Sequence, residues 1–352
     1  MGFRPKAPVI GGYLVAAALL ATGAPAHAAS AAPPAQGCAV APKSQLVVNV
    51  KDKGAKGDGK TDDTASIQAA IDAVAGTGGT ALVPDGVYMI DATARPRLSL
   101  KDDMTLKLAD GATLKAIPND QKKSAVLMIS GVSDVTVIGG TLEGERDEHK
   151  GKGGGWGMGV HISHGAERIV IAGVTARKMW GDGFYVSDAS DVKFCGVTAD
   201  QNRRQGLSII AVMGLVVLNS VFKNTGGTRP GAGIDFEPDD RDQTITDVKI
   251  ENSKFIDNAG PGILIAGKKG AVSKIELTRN LFKGNRPILV EDAPEVLASS
   301  ICSNRQEMSE AAPSGGLNAY ADPIKVMVHQ NDCEDGEDMR FEVSRQKKKR
   351  SN

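Results

Sequence analysis

Short apolar runs that end in Gly or Asn recur along the chain, at 135–139, 169–173, 192–196, 215–219, 248–252 and 275–280. A second set interleaves with them. Gly159, Gly183, Gly206, Gly233 and Gly262 each precede an alternating strand that begins Val160, Phe184, Leu207, Ile234 and Ile263, and Pro287 precedes Ile288 in the same way. The repeat is roughly 23 to 29 residues, a solenoid period rather than the irregular spacing of a sandwich. Alternation sends Val160, Phe184, Leu207, Ile234, Ile263 and Ile288 inward as one stack. Gly and Asn at the run ends suit corners that need positive φ. Upstream, Ile67 and Ile71 stand four residues apart after Asp62-Asp63-Thr64, which predicts an amphipathic helix behind an acidic N-cap. A solenoid exposes core at its end, so this helix is expected to cap it. The fold class is all-β: a single-stranded right-handed parallel β-helix with an N-terminal capping helix.

The ends read differently from the middle. Arg4 and Lys6 precede an apolar stretch from about residue 13 to 20, and Ala26-His27-Ala28 is a small-x-small cleavage site. That pattern predicts a signal peptide over 1–28 and an exported protein, periplasmic or secreted. The stretch is shorter than the ~20 residues a membrane span needs. Residues 29–45 read as a disordered Ala- and Pro-rich lead-in, 46–300 as the β-helix, 301–340 as a C-terminal capping segment and 341–352 as a basic disordered tail. The chain carries 42 basic and 42 acidic side chains, so it has no general field for collecting nucleic acid or an anionic membrane. Four cysteines permit disulfides: Cys302 and Cys333 flank the C-terminal segment, and Cys195 reads as a buried thiol.

Coils in register lie about 4.8 Å apart, so equivalent outward positions form columns on the wall. One expected column is His161, Tyr185, Ser208, Asp235, Leu264 and Leu289. A second is Ser163, Ser187, Ile210, Glu237, Ala266 and Glu291. The bends before these strands hold Asp182, Arg203, Arg204 and Gln205. Acid, base and hydroxyl groups therefore converge on one face over about four coils. Arg204 offers a planar fork suited to a carboxylate. Asp235, Glu237 and Asp182 are candidate acids or bases, and Tyr185 and His161 candidate proton carriers. Arg203, Gln205, Ser208 and Trp180 are candidate substrate contacts, Trp180 by stacking on a sugar ring. Asp235, Glu237 and Asp239 also form a candidate set of hard oxygen ligands for Ca²⁺, although no residue pattern requires a cofactor.

The run Lys53-Gly54-Ala55-Lys56-Gly57-Asp58-Gly59, the following Thr61-Asp62-Asp63-Thr64 and the segment from Val83 to Tyr88 resemble the N-terminal motif of the pectate-lyase-like superfamily. With the coil pattern, the resemblance covers about 46–300. It implies a parallel β-helix and a polysaccharide partner. The superfamily contains lyases, polygalacturonase-type hydrolases, mannuronan epimerases and tailspike depolymerases, so the resemblance leaves the reaction, and the choice of monomer or homotrimer, open. The segment 234–239 is similar to the Tyr-Gly-Phe-Asp-Pro-His motif of mannuronan epimerases, with Glu237 at the acidic position. Ile234 stands where that motif has tyrosine, and Asp239 where it has histidine. Asp182 falls in register with an aspartate of polygalacturonases, but Gln205 occupies the place of its partner acid.

Three readings follow. The leading one is β-elimination on an acidic, uronate-containing polysaccharide, with Arg204 neutralising a carboxylate and Tyr185 or His161 moving the proton. Hydrolysis or epimerisation on the same wall is the second. The third is a non-catalytic glycan-binding or assembly solenoid.

Overall fold

The computed structural model describes residues 1–2, 43–93, 97–266, 270–291, 296–302, 304–307 and 342–344. The expected signal segment beyond Gly2 and most of the lead-in lie outside the described residues, as does Cys333. Strands at equivalent places in successive coils pair with one another in parallel. They form a 15-stranded and a 10-stranded sheet that wind around one apolar core.

The register matches the inner stack expected above. Val160 pairs with Phe184, Phe184 with Leu207, Leu207 with Ile234, Ile234 with Ile263 and Ile263 with Ile288, all buried. On the second sheet Phe222, Phe255 and Phe282 stack face to face, with ring centroids 5.4 and 4.8 Å apart. The two legs that the repeat pattern separates are continuous in the strands Trp156–Ala172, Phe184–Cys195 and Leu207–Leu218. They turn at left-handed residues such as His164 (φ 57) and Asp188 (φ 58).

What brings the coils so close is a ladder of glycines just ahead of the site strands. A Cβ on Gly183 would lie 2.7 Å from the Gly206 carbonyl oxygen, one on Gly206 2.5 Å from that of Gly233, and one on Gly233 2.6 Å from that of Gly262. Gly183, Gly206 and Gly233 are therefore residues over which the next coil's backbone rests.

The helix Thr64–Val74 packs Ile67, Ala70, Ile71 and Val74 into the apolar core. Asp63 does not cap it through its side chain. Its buried carboxylate instead accepts the Lys56 and Gly57 N–H groups (2.6 and 3.0 Å), while Asp62 accepts that of Thr64 (3.0 Å). Gly57 (φ +64) lies against the Tyr88 ring, where a Cβ would come within 2.7 Å. The N-terminal motif is thus one folded unit in which acid, glycine and tyrosine fit each other.

Three expectations change. Stacking continues past residue 300, because Arg305–Glu307 pairs with Leu281–Lys283 as a further rung. Within the expected tail, Glu342–Ser344 pairs in parallel with the strand Ile288–Glu291. Cys195, read as a buried thiol, is disulfide-bonded. Among the described residues no helix is long and apolar enough to cross a membrane.

Candidate functional site

The first outward column forms as expected. His161 pairs in register with Tyr185, Tyr185 with Ser208, Ser208 with Asp235, and then come Leu264 and Leu289. The second column does not hold throughout. Ile210 was expected opposite Ser187, but a bulge sets Ser187 opposite Ala211. Ile210 is buried, and Glu237 continues from Phe236 with its N–H donating to the Ile209 carbonyl (2.8 Å).

The site has two layers. Asp182, Gln205, Ser208 and Asp235 are buried. Over them lie the partly exposed side chains of Tyr185, His161, Arg204 and Glu237. Arg204 ties the layers together: Nη1 donates to Asp182 Oδ2 (3.2 Å) and Nη2 to Glu237 Oε2 (2.7 Å). Burial pulls the guanidinium toward neutrality, but the neighbouring Asp182 and Glu237 more than offset this, and Arg204 stays a cation.

Burial pushes the Asp182 carboxyl up to about 7, against the opposing pull of Arg204 and the Ser208 hydroxyl. The hydrogen-bond inventory agrees with a neutral acid here. Ser208 Oγ lies 3.0 Å from Asp182 Oδ2 and 2.8 Å from Gln205 Oε1. One hydroxyl proton cannot serve two acceptors. A protonated Asp182 resolves the conflict by donating to Ser208, which donates to Gln205. The Gln205 amide in turn donates to Asp235 Oδ2. Asp235 is raised well above the usual carboxylate range by burial and by the nearby Glu237 charge, and its Oδ1 has no partner among the described residues. The buried layer is therefore a run of protonatable groups from Asp182 to Asp235.

In the upper layer, the His161 and Tyr185 rings meet edge to face with centroids 4.9 Å apart. Burial brings His161 down to about 4, and cationic neighbours including Arg97 and Lys123 assist. Burial raises the Tyr185 phenol. Near neutral pH His161 is thus a free base and Tyr185 an intact acid, side by side and close to the Arg204 cation.

Trp180 does not present a face to a sugar. His149 stacks on it at 3.9 Å and 12°, and the Arg203 guanidinium carbon lies 3.8 Å from the ring centre. Groups that close would collide on one face, so they occupy both. The Ca²⁺ set does not converge either. Asp235 faces Gln205 and Glu237 is paired with Arg204. Among the described residues no group of three or more acidic, His or Cys side chains is placed to hold a metal ion.

Two family models match: "Rhamnogalacturonase A/epimerase, pectate lyase-like" over residues 47–114, and "Right handed beta helix region" over 110–244. The chain belongs to the pectate-lyase-like superfamily. This pectate-lyase-like protein is 28% identical over 325 residues to the uncharacterized protein YclG of Bacillus subtilis, covering 78% of the chain and 55% of that relative. It is 43% identical over 148 residues to the mannuronan C5-epimerase AlgE4 of Azotobacter vinelandii, covering 39% of the chain and 27% of the epimerase. The chain therefore spans about half of the first relative's length and about a quarter of the second's. The solved A-module of AlgE4 superposes with a TM-score of 0.52 at 23% identity, over 74% of this chain and 88% of the module, which is a likeness of fold.

Sequence reasoning missed three residues that the pectate-lyase-like wall brings beside the site: Glu145, Arg146 and His149. They lie between the strands Thr141–Glu143 and Trp156–Ala172, where an insertion interrupts the coil repeat. Register arguments have no purchase there. The unusual length of that insertion was the available cue.

Proposed function

We propose that this chain removes the C5 proton of a uronate unit in an acidic polysaccharide and completes a β-elimination that cleaves the glycosidic bond. The observation that carries the reading is the His161–Tyr185 pair, one group a base and the other an acid at neutral pH, packed edge to face on adjacent coils near a buried-rooted arginine. Removing a proton next to a carboxylate is hard because the carboxylate is already anionic. A cation that neutralises it lowers the barrier, and Arg204 is held for that role by Asp182. Substrate carboxylate replaces Glu237 on Nη2, which frees Glu237 toward solvent. His161 takes the C5 proton, the C4–O bond breaks, and Tyr185 gives its phenolic proton to the leaving oxygen. Asp235, and Asp182 below about pH 7, are neutral beneath, so that Arg204 keeps a net positive charge to offer.

The part-length identity to mannuronan epimerases supports a uronate substrate. Epimerisation shares the proton removal and differs only in returning a proton to C5. Ile234 and Asp239, where that motif carries tyrosine and histidine, argue against returning it from those positions. The N-terminal charge and apolar pattern supports export, where such polymers occur.

The test is incubation of the protein with polymannuronate, polyguluronate, polygalacturonate and glucuronate-containing bacterial polymers. Ultraviolet absorbance of an unsaturated uronate, lost in Tyr185→Phe, is the expected result. New reducing ends without that absorbance would assign hydrolysis instead. Inversion at C5 without cleavage would assign epimerisation.

A further inference from the structure

Most cations around the site have acidic partners. Arg177 meets Glu143, Lys178 meets Asp147, and Arg204 meets Glu237. Arg146 and Arg203 are different: among the described residues neither has a carboxylate within ion-pair distance, and each is bound through backbone carbonyls. Arg203 Nη1 donates to the carbonyls of Gly154 (3.1 Å) and Trp180 (3.4 Å). Arg146 Nη1 donates to the Gln201 carbonyl (2.6 Å). Burial and the neighbouring Arg146 charge lower the Arg203 pKa, as expected of two like charges held together.

Arg203 is held in place from behind. Its guanidinium lies on Trp180, whose other face rests on His149, and His149 Nδ1 is fixed 2.9 Å from Glu145 Oε1. Asn119 donates to the same Glu145 oxygen (3.2 Å). The His149 and Glu145 side chains are 0% and 2% exposed, so this support is part of the protein's interior. The Arg203 stem and the Arg146 guanidinium flank Gly227. A Cβ there would lie 3.2 Å from Arg203 Cγ and 3.3 Å from Arg146 Nη2, and the glycine (φ +128) leaves the space between them open. Nη2 and Nε of both arginines have no acceptor among the described residues.

We propose that Arg146 and Arg203 form a second anion subsite, one residue along the bend from Arg204, which takes the carboxylate of a uronate unit other than the one that reacts. Two guanidinium groups with unused donors match the planar, two-oxygen geometry of a carboxylate. Asp147 lies near Arg146 without pairing with it directly, so a carboxylate of the polymer is the partner both guanidinium groups lack. Arg203 and Arg204 leave the same bend in different directions, so two carboxylates of one acidic chain engage neighbouring residues. The inference rests on the uronate reading above and specifies how a charged polymer is held.

Trp180 gives a readout independent of turnover. The chain has two tryptophans, so Trp156→Phe leaves Trp180 as the reporter. In that background, emission is titrated with hexamers of mannuronate and of galacturonate, and with a galacturonate hexamer whose carboxyls are reduced to alcohols. A charged hexamer is expected to change Trp180 emission saturably, and Arg146→Gln to weaken its binding about tenfold, the loss of one charge-assisted contact. The reduced hexamer is expected to bind weakly in both proteins. Gly227→Ala, which fills the space without removing charge, is expected to weaken the charged hexamer as well. Unchanged affinity in Arg146→Gln, equal binding of the reduced hexamer, or no emission change with either charged hexamer overturns the subsite. If Arg146→Gln weakens binding and no unsaturated product forms, the subsite stands and the lyase reading falls. If product forms with an unchanged KM in Arg146→Gln, the subsite falls and the lyase reading stands.

Discussion

Replacing Asp182 by asparagine should remove a pH dependence of stability that the wild-type protein carries. Asp182 is fully buried, and its carboxyl lies at about 7 in the folded protein against an ordinary 3.8. The folded state therefore holds a proton that the unfolded chain has released between those values. Stability is greatest below the ordinary carboxylate range, falls as pH rises toward about 7, and levels off above it. The shift corresponds to about 4 kcal/mol, at roughly 1.4 kcal/mol per pH unit. Asparagine retains an oxygen for the Gln205 N–H and an amide that can donate to Ser208, while it never ionises. The variant should gain on the wild type as pH rises, by about 3 kcal/mol between pH 5 and pH 9. Urea midpoints of both proteins at pH 5, 7 and 9 measure this as a difference between variants, which tolerates the limited cooperativity of a solenoid. Asp235, also raised by burial, adds a slope of the same sign to both proteins, smaller in the variant because the Asp182 charge contributes to it. If the two midpoints run parallel across the range, Arg204 keeps Asp182 ionised throughout, and the neutral buried layer is wrong.

Other outcomes follow from the same geometry. With His161 at about 4 and Asp182 at about 7 in the folded protein, the rate should rise through the first pH, hold, and fall as Asp182 ionises, and His161→Gln should abolish turnover while leaving circular dichroism unchanged. Phe255→Ala removes the middle ring of the Phe222–Phe255–Phe282 stack and should cost about 3–5 kcal/mol in chemical denaturation. Gly206→Ala places a methyl 2.5 Å from the Gly233 carbonyl and 2.9 Å from the Phe222 ring. It should cost about 1–3 kcal/mol and lower turnover as well, because the coil it displaces carries Asp235.

The repeat carries the wall. Gly before an alternating apolar strand, at a near-constant period, was enough to place Val160, Phe184, Leu207 and Ile234 in one stack and His161, Tyr185, Ser208 and Asp235 in another. The bulge at Ile210 was not readable, since Ile209-Ile210-Ala211 has no glycine or polar residue to mark the extra position. Nor was the burial of Asp182 and Asp235. Outward positions on a bare coil face water, and only the long side chains of neighbouring coils, Arg204 and Tyr185 among them, cover these two. Trp180 showed the same limit, because the His149 that fills one of its faces comes from an insertion outside the repeat.

The most direct test of C5 proton removal follows the C5 hydrogen itself. A susceptible uronate oligomer is incubated in D2O with the wild-type protein, Tyr185→Phe and His161→Gln, and the H5 resonance is recorded by NMR. The wild-type protein should deplete H5 as an unsaturated terminal uronate appears, and neither variant should do so. Chain cleavage by the wild type with H5 fully retained would contradict the account.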